Sequence, residues 1–172
     1  MASKAVFGIC TPLQAETVLN ELKGAGFSNN DISVLVPDTM GSHDLATDKA
    51  TKAPEGTATG ATTGGILGGA LGWLAGIGAL AIPGLGPFIA AGPIMGALSG
   101  AAAGATAGGL TGALVGLGIP EYEAKQYEAK VKGGNILISV HTDDGDERTH
   151  VKEVFTRYQA DDIATAGEKR AS

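Results

Sequence analysis

Charge is missing from the middle of this chain. Of its 172 residues, 18 are acidic and 12 are basic, yet none of these lies between Glu55 and Glu121. An uncharged stretch of this length is not typical of a loop in water, so we expect it to lie in lipid or inside a protein assembly. The sequence therefore indicates where the protein works and how it associates, and it does not point to a reaction.

Features of secreted proteins and of common enzymes are also scarce. Cys10 is the only cysteine, so no disulfide can form within the chain, which suits a reducing compartment. The N-terminal residues read as a strand and lack the apolar run and cleavage site of a secretory signal. No phosphate-binding loop of the Walker A type occurs, and no nucleophilic triad pattern is present. We therefore expect no enzyme activity, no catalytic residue and no cofactor.

An excess of positive charge is missing as well. The net charge is −6, and the Lys and Arg residues are interleaved with acids. A nucleic-acid-binding surface needs a basic patch, so we expect no nucleic acid partner. The same balance argues against electrostatic attachment to anionic lipid. Any membrane contact is therefore expected to come from the uncharged stretch itself.

Glycine fills this stretch, where it recurs at every fourth position in two ladders. The first ladder is Gly60, Gly64, Gly68, Gly72 and Gly76, and the second is Gly92, Gly96, Gly100, Gly104, Gly108, Gly112 and Gly116. Glycines four apart fall near one stripe of a helix, where the missing Cβ lets another backbone approach closely. We predict that the ladders are helix-packing and oligomerisation surfaces.

The ladders predict a hairpin of two long apolar helices in residues 61–118. Helices over 61–82 and 93–118 would be roughly 33 and 39 Å long, enough for a bilayer core of about 30 Å. Residues Ser99–Gly109 are only Ser, Gly, Ala and Thr, so this part has no bulky side chain to face lipid. We infer that neighbouring helices surround it, and that one of them comes from a second copy of the chain.

Three environments for this hairpin stay open: a membrane, a protein-enclosed interior in a soluble shell or ring, and a flexible segment. The regular glycine spacing disfavours the flexible segment, because a linker does not need it. In the membrane interpretation, lysines flank the hairpin at one end and its turn has no basic residue. The positive-inside rule then places both ends and the folded domain in the cytoplasm. A soluble cytoplasmic assembly is the alternative location.

The flanking sequence predicts an α+β domain made of two β-α-β halves. Strands are expected at Lys4–Cys10, Asp31–Val36, Asn135–Thr142 and Asp162–Thr165. The strand at 135–142 is apolar on both faces, which predicts a central position. Two such halves that form one sheet with helices on one face make a ferredoxin-like sandwich. The predicted boundaries are 1–37 for the first half, 38–60 for a polar linker, 61–118 for the hairpin, and 119–172 for a helix, the second half and a polar tail.

Local patterns predict details of the helices. Thr11 and Gln14 are spaced as the two members of a capping box, with Pro12 at the first helical position. The residues expected to face the core from this first helix are Leu13, Val18, Leu19 and Leu22. A charged helix after Pro120 has two i,i+4 pairs, Glu121/Lys125 and Glu128/Lys132. On that helix, Tyr122 and Tyr127 fit either a membrane-interface belt or packing on the sheet.

Few side chains suggest chemistry. The three histidines are not spaced as metal ligands, so no metal is expected. His141, His150 and Asp143 form one candidate site, and ordinary structural histidines are the alternative. The acids from Asp143 to Glu147 lack the full calcium-loop pattern and suit the first turn of a helix. Cys10 has no base near it in the sequence, so we expect it to be a small packed residue.

Several segments resemble small bacterial proteins of the general-stress or low-temperature-induced type. These segments are Lys4–Ile9, Gly26–Leu35, the glycine block, Gly118–Ala124 and Gly134–His141. Such proteins pair a ferredoxin-like domain with a glycine-rich hairpin. The domain is also similar to the membrane-anchoring D subunit of alternative complex III, a quinol-oxidising respiratory assembly. The resemblance covers nearly the whole chain and implies an architecture, and no catalytic or cofactor residue comes with it.

Three functions are consistent with this sequence. The first is a non-enzymatic, self-associating, membrane-linked structural or stress protein of bacteria, with glycine-zipper helices that form homo-oligomers and α+β domains that form a cytoplasmic layer. The second is an accessory membrane-anchor subunit of a quinol-oxidising redox complex. The third is a small-ligand sensor module. Under the first hypothesis, the expected partners are further copies of the chain and membrane lipid.

Overall fold

The computed structural model describes residues 4–37, 78–82, 86–91, 109–116 and 118–167. Its strands are β1 (Lys4–Cys10), β2 (Ile32–Pro37), β3 (Gly78–Ile82), β4 (Gly86–Ala91), β5 (Ile136–Thr142) and β6 (Asp161–Gly167). Its helices are α1 (Pro12–Gly24), α2 (Gly109–Gly116), α3 (Glu121–Lys132) and α4 (Gly145–Arg157). This mixture of helix and strand confirms the α+β class.

All six strands form one antiparallel sheet in the order β3-β4-β2-β5-β1-β6. β5 lies between β2 and β1, so the central position predicted for residues 135–142 is confirmed. Within β5, Ile138 lies opposite both Gly8 of β1 and Val34 of β2. The two halves expected from the sequence are therefore interleaved in one sheet rather than placed side by side.

Helices cover this sheet on both faces. Phe7 and Leu137 belong to a buried cluster with side chains of α2 and α3. Val6 and Ile138, which point to the opposite face, belong to a second cluster with side chains of α1 and α4. The helices of the two predicted β-α-β halves, α1 and α4, share one face, whereas α2 and α3, which follow the glycine block, cover the other. β1 and β5 are buried at nearly every position, so both of their faces need apolar cover.

The start of α1 follows the predicted capping box. The Thr11 hydroxyl accepts a hydrogen bond from the Gln14 N–H at 3.4 Å, and Gln14 Oε1 accepts one from the Thr11 N–H at 2.8 Å. The buried residues of α1 are Ala15, Val18, Leu19 and Leu22. The prediction that Leu13 faces the core is wrong, since this side chain is 70% exposed. Leu13 precedes Leu22 by nine residues, which places it about 180° away around the helix.

All four helices end in the same type of turn, in which a residue with positive φ follows the last helical turn. That residue is Gly26 after α1, Gly118 after α2, Gly134 after α3 and Gln159 after α4. After α2, for example, the Ile119 N–H donates to the Leu114 carbonyl at 3.1 Å. This is the geometry of the Schellman motif, which satisfies carbonyl groups at the helix end. Glycine suits the position because it has no Cβ to clash.

The positions of β3 and β4 contradict part of the predicted helical hairpin. The sequence predicts the end of the first long helix at residues 78–82, where the structure has a strand that pairs with β4. Pro83 disfavours the helical conformation at Ile82, and small and large residues alternate over 79–82, as is typical of a strand. The rest of that helix and the predicted linker at 38–60 lie outside the described residues.

Candidate functional site

α2 is the described end of the second glycine ladder, and its two faces differ. Leu110 and Leu114 are 1% and 0% exposed and pack in the cluster with α3 and the sheet. Gly112 and Gly116 follow the leucines by two residues, which is about 200° around the helix axis. Gly116 is exposed, and a Cβ added there would meet no described atom within 4 Å. The leucine face therefore holds α2 on the domain, while Gly116 and the 42% exposed Val115 lie on the exposed side of the helix and Gly112 is half-buried.

Thr111 fixes the rotation of α2 against α3. Its backbone N–H donates to Glu128 Oε2 at 2.9 Å, and its hydroxyl donates to the same oxygen. The predicted ion pair of Glu128 with Lys132 does not form in the described structure, because Glu128 accepts these bonds instead. The other predicted pair is confirmed, with 2.9 Å between Lys125 Nζ and Glu121 Oε1.

Most of the predicted glycine surface lies outside the described residues. The glycines concerned are Gly60, Gly64, Gly68, Gly72, Gly76, Gly92, Gly96, Gly100, Gly104 and Gly108. Only Gly112 and Gly116 can be placed, and both lie in a helix, as the ladder predicts. Their role in association stays a prediction.

The two tyrosines of α3 have different environments. Tyr127 is fully buried, and its hydroxyl donates to the carbonyl of Asp162 in β6. This burial, together with the nearby acids Glu123 and Asp162, raises the pKa of Tyr127. Packing on the sheet is therefore confirmed for Tyr127. Tyr122 is 74% exposed and does not share that role.

A cleft of about 480 Å³ opens where α1 and β5 end and α4 begins. Its lining consists of Ala25, Gly26, Phe27, Asp31, His141, Asp143, Asp146, Glu147 and His150. The structure thus brings together the candidate residues His141, His150 and Asp143. It adds Asp31, whose carbonyl accepts from the His141 N–H at 2.7 Å. The antiparallel pairing of β2 with β5 explains this meeting, because the start of one strand lies beside the end of the other.

Hydrogen bonds join three polar residues of this cleft, His141, Asp143 and Glu147. His141 Nε2 lies 3.1 Å from Asp143 Oδ1, and Glu147 Oε2 accepts from the Asp143 N–H at 2.8 Å. The neighbouring Asp144 is the N-cap of α4 and accepts from two backbone N–H groups. The acids therefore serve the first turn of α4, as the sequence predicts. Within the described ranges, no group of three or more His, Cys, Asp or Glu residues could hold a metal ion.

Phe27 is the cleft residue that sequence reasoning missed. Its ring stacks on that of His150, with 6.5 Å between the centroids and 17° between the planes. Phe27 directly follows Gly26, the residue with positive φ that ends α1. A hydrophobic contact at this position of the Schellman motif is common, and that pattern could have predicted an inward-facing ring.

Cys10 is a packed residue rather than a nucleophile. Its side chain is fully buried in the cluster beneath α1 and α4. Burial, with a smaller contribution from the charge of Asp161, raises the pKa of the Cys10 thiol to about 12. The thiolate is therefore scarce near neutral pH, and the thiol is unsuited to attack a substrate.

Comparison of the chain with protein-family models, with curated proteins and with solved structures finds no match in any of the three. Among the helices that the structure describes, none is long and apolar enough to cross a bilayer. The function of this chain is therefore inferred from its own residues. Of the two candidate features, the cleft has three polar residues that bind one another, whereas α2 has nothing described against Gly116.

Proposed function

We propose that this protein is a non-enzymatic, self-associating structural protein. In this proposal, the uncharged glycine-rich block carries association between copies and contact with membrane lipid, and the α+β domain forms a polar layer outside it. The observation that carries the proposal is that α2 packs on the domain through Leu110 and Leu114, while Gly116 on its other side is exposed. That exposed side continues the glycine ladder and is open to a second helix.

The physical basis is close approach of backbones. A glycine stripe lets a second helix approach until main-chain atoms touch, which increases van der Waals contact and permits weak Cα–H hydrogen bonds. In α2 the orientation of this stripe is set by Leu110, Leu114 and the bonds from Thr111 to Glu128. The same four-residue spacing continues upstream from Gly108 to Gly92, so the contact surface would be several turns long.

Lipid is the second partner in this proposal. Support comes from the absence of charge between Glu55 and Glu121. A charged side chain in a bilayer costs free energy, and this block avoids that cost. The strand at 78–82 shortens the first predicted helical arm, so we put self-association first and lipid contact second. Membrane linkage of a cytoplasmic domain is part of the proposal.

We also propose that the domain core is ferredoxin-like. The strand order β2-β5-β1-β6, with α1 after β1 and α4 after β5, corresponds to the split β-α-β arrangement. α2 and α3 then add cover to the face that this arrangement leaves open. β3 and β4 would be additions at the outer edge of β2.

The test is particle mass with and without detergent. The parent chain should form particles that are a multiple of its 17.1 kDa, and combining Gly112→Leu with Gly116→Leu should lower that mass, because leucine side chains hold the backbones apart. Gly24→Leu is the matched control, since a Cβ at Gly24 also meets no described atom within 4 Å. Far-UV circular dichroism verifies that each variant folds.

Two results would overturn the proposal. One is a parent chain that sediments as a 17.1 kDa monomer both in buffer and in detergent. The other is an unchanged particle mass in the folded double variant. A requirement for detergent in the parent chain, with the same response to the two leucines, would support the lipid contact.

A further inference from the structure

The two outer strands of the sheet are protected very differently. β6, at one edge, carries Asp161 and Asp162, which both lie within ion-pair distance of Lys130, at 3.3 and 2.8 Å. Asp162 also has a φ of 49°, and the β1–β6 register shifts between Phe7 and Ile9. Charges and irregularities of this kind are how natural sheets keep an edge from pairing with another chain. The β6 edge is therefore guarded.

β3, at the opposite edge, has none of these devices. Its five residues, Gly-Ala-Leu-Ala-Ile, include no charge and no proline. Its pairing with β4 runs from Gly78 opposite Ala90 to Ile82 opposite Gly86 without a register shift. Among the residues that the structure describes, no strand pairs with the other side of β3. A regular uncharged edge of this kind offers backbone N–H and C=O groups to a further strand.

We propose that this edge binds the same edge of a second copy of the chain. Antiparallel pairing about Leu80 would place Leu80 opposite its counterpart, Ala79 opposite Ala81, and Gly78 opposite Ile82. The three central residues, Ala-Leu-Ala, read the same in both directions, so a two-fold axis at Leu80 suits them. The two sheets of six strands would then form one continuous sheet of twelve.

The guarded edge explains why this pairing would stop at two copies. Pairing of β3 with β6 of another copy would be head-to-tail and would extend without limit into a fibre. The acids and the register shift at β6 oppose that arrangement. The pairing of β3 with β3 uses each unguarded edge once and leaves two guarded edges outside. This surface is separate from the glycine face of α2, so the inference extends the proposed self-association without depending on contact through that face.

Disulfide cross-linking of the full chain tests the pairing. Two cross-strand neighbours lie about 4.5–5.5 Å apart, within the range that a disulfide bridges. Leu80→Cys should therefore give a covalent dimer of twice 17.1 kDa on mild oxidation in dilute solution. Cys10 does not interfere, because it is fully buried. Ala164→Cys, in the guarded strand β6, is the control and should stay monomeric on a non-reducing gel. Because Ala164 is partly buried against the core, labelling with iodoacetamide first verifies that the new thiol is accessible.

The register gives a sharper test. Two copies of Ala79→Cys would be diagonal neighbours about 7–8 Å apart, at or beyond the limit for a disulfide. Alone, Ala79→Cys should cross-link poorly, and a mixture of Ala79→Cys with Ala81→Cys should cross-link well. Equal cross-linking at Leu80→Cys and Ala164→Cys would overturn the proposal. Absence of cross-linking at every β3 position would also overturn it, and this is the result expected if another segment of the same chain covers β3.

A final cross-linking experiment distinguishes pairing at the β3 edge from association through the glycine face. Leu80→Cys should still cross-link when Gly112→Leu and Gly116→Leu are present. Loss of the cross-link in that background would overturn the edge pairing, because proximity would then depend on the helices. Retention of the cross-link while the larger particles disappear would support both surfaces, and retention with unchanged particle mass would support the edge and contradict the glycine surface.

Discussion

Thr111 donates two hydrogen bonds to a single carboxylate oxygen of Glu128, one from its backbone N–H and one from its hydroxyl. The two residues are 17 positions apart and lie on different helices, so this contact attaches the last turns of the glycine-rich block to the folded domain. Leu110 and Leu114 bury the adjoining face of the same helix. The end of the block is thus part of the core and not merely a tether.

Removal of the Thr111 hydroxyl should therefore lower the stability of the folded domain. Thr111→Val keeps the shape of the side chain and removes one donor to a charged acceptor, for an expected loss of about 1–2 kcal/mol in the free energy of unfolding. Urea denaturation followed by circular dichroism measures this loss. The matched control is Thr156→Val, whose hydroxyl only bonds the Lys152 carbonyl on an exposed helix face. A Thr111→Val variant as stable as that control would contradict the role of the contact.

Gly8 and Phe155 form a second contact that can be tested. A Cβ on Gly8 would lie 3.0 Å from the Phe155 ring, so the ring would have to shift by a few tenths of an ångström. Gly8→Ala should therefore cost about 1–3 kcal/mol of stability, although alanine alone would favour the strand. In a Phe155→Leu background the same substitution should cost less, because the ring edge is gone. A double-mutant cycle measures the difference, and equal costs in both backgrounds would show that the ring is not the obstacle.

The raised pKa of the Cys10 thiol predicts that the stability of the fold decreases at alkaline pH. Its folded-state pKa of about 12 lies above the ordinary value of 9.0, so the neutral thiol favours the folded state. That contribution is complete below pH 9 and is lost as the pH rises towards 12, since the unfolded chain then releases a proton that the folded chain keeps. Cys10→Ala should show a shallower decline across this window. Tyr127, whose pKa is also raised, should still cause part of the loss of stability in Cys10→Ala.

Denaturation at several pH values from 9 to 12 checks this slope. Alkylation gives an independent measurement, because the buried thiol should react with iodoacetamide only as fast as the protein opens. Rapid labelling of the folded chain near neutral pH would contradict the buried placement of Cys10. Parallel slopes for the parent and for Cys10→Ala would show that other groups control the alkaline decline.

Gln159 occupies a position that suits glycine better. It has a φ of 57° in the turn after α4, where the corresponding residues after the other three helices are glycine. Gln159→Gly should therefore raise the free energy of unfolding by about 0.5–1 kcal/mol, as relief of backbone strain exceeds the added chain entropy. Gly134→Gln makes the reverse change after α3 and should lower it. If both variants shifted the thermal midpoint in the same direction, the backbone argument would be wrong.

Local patterns in the sequence predicted local features of this fold. The capping box at Thr11 and Gln14 depends on groups three residues apart, and the burial of β5 depends on its own run of apolar residues. The Asp144 cap and the acids after it follow the same logic. Each of these features is specified within one turn or one strand, so no knowledge of distant residues is needed.

Features that depend on distant residues were predicted poorly. Glu128 has an ideal helical neighbour in Lys132, yet its carboxylate binds Thr111 on another helix. The second covered face of the sheet needs α2, whose place on the domain is set by contacts far along the chain. The strand at 78–82 is flanked by glycine ladders typical of helices, and pairing with β4 and β2 at the sheet edge overrides that signal. The cleft follows from strand pairing as well.

The central place of β5 has a consequence for biogenesis. β1 and β2 are both hydrogen-bonded to β5, which the ribosome makes only after the uncharged block. At about 5–20 residues per second, the start of the block emerges roughly 4–17 seconds, and its end roughly 1–4 seconds, before β5 is complete. During that interval the nascent chain offers its glycine-rich segment to chaperones, to sister chains on the same messenger or to a nearby bilayer. The environment of this segment is therefore determined during translation, before the domain has folded.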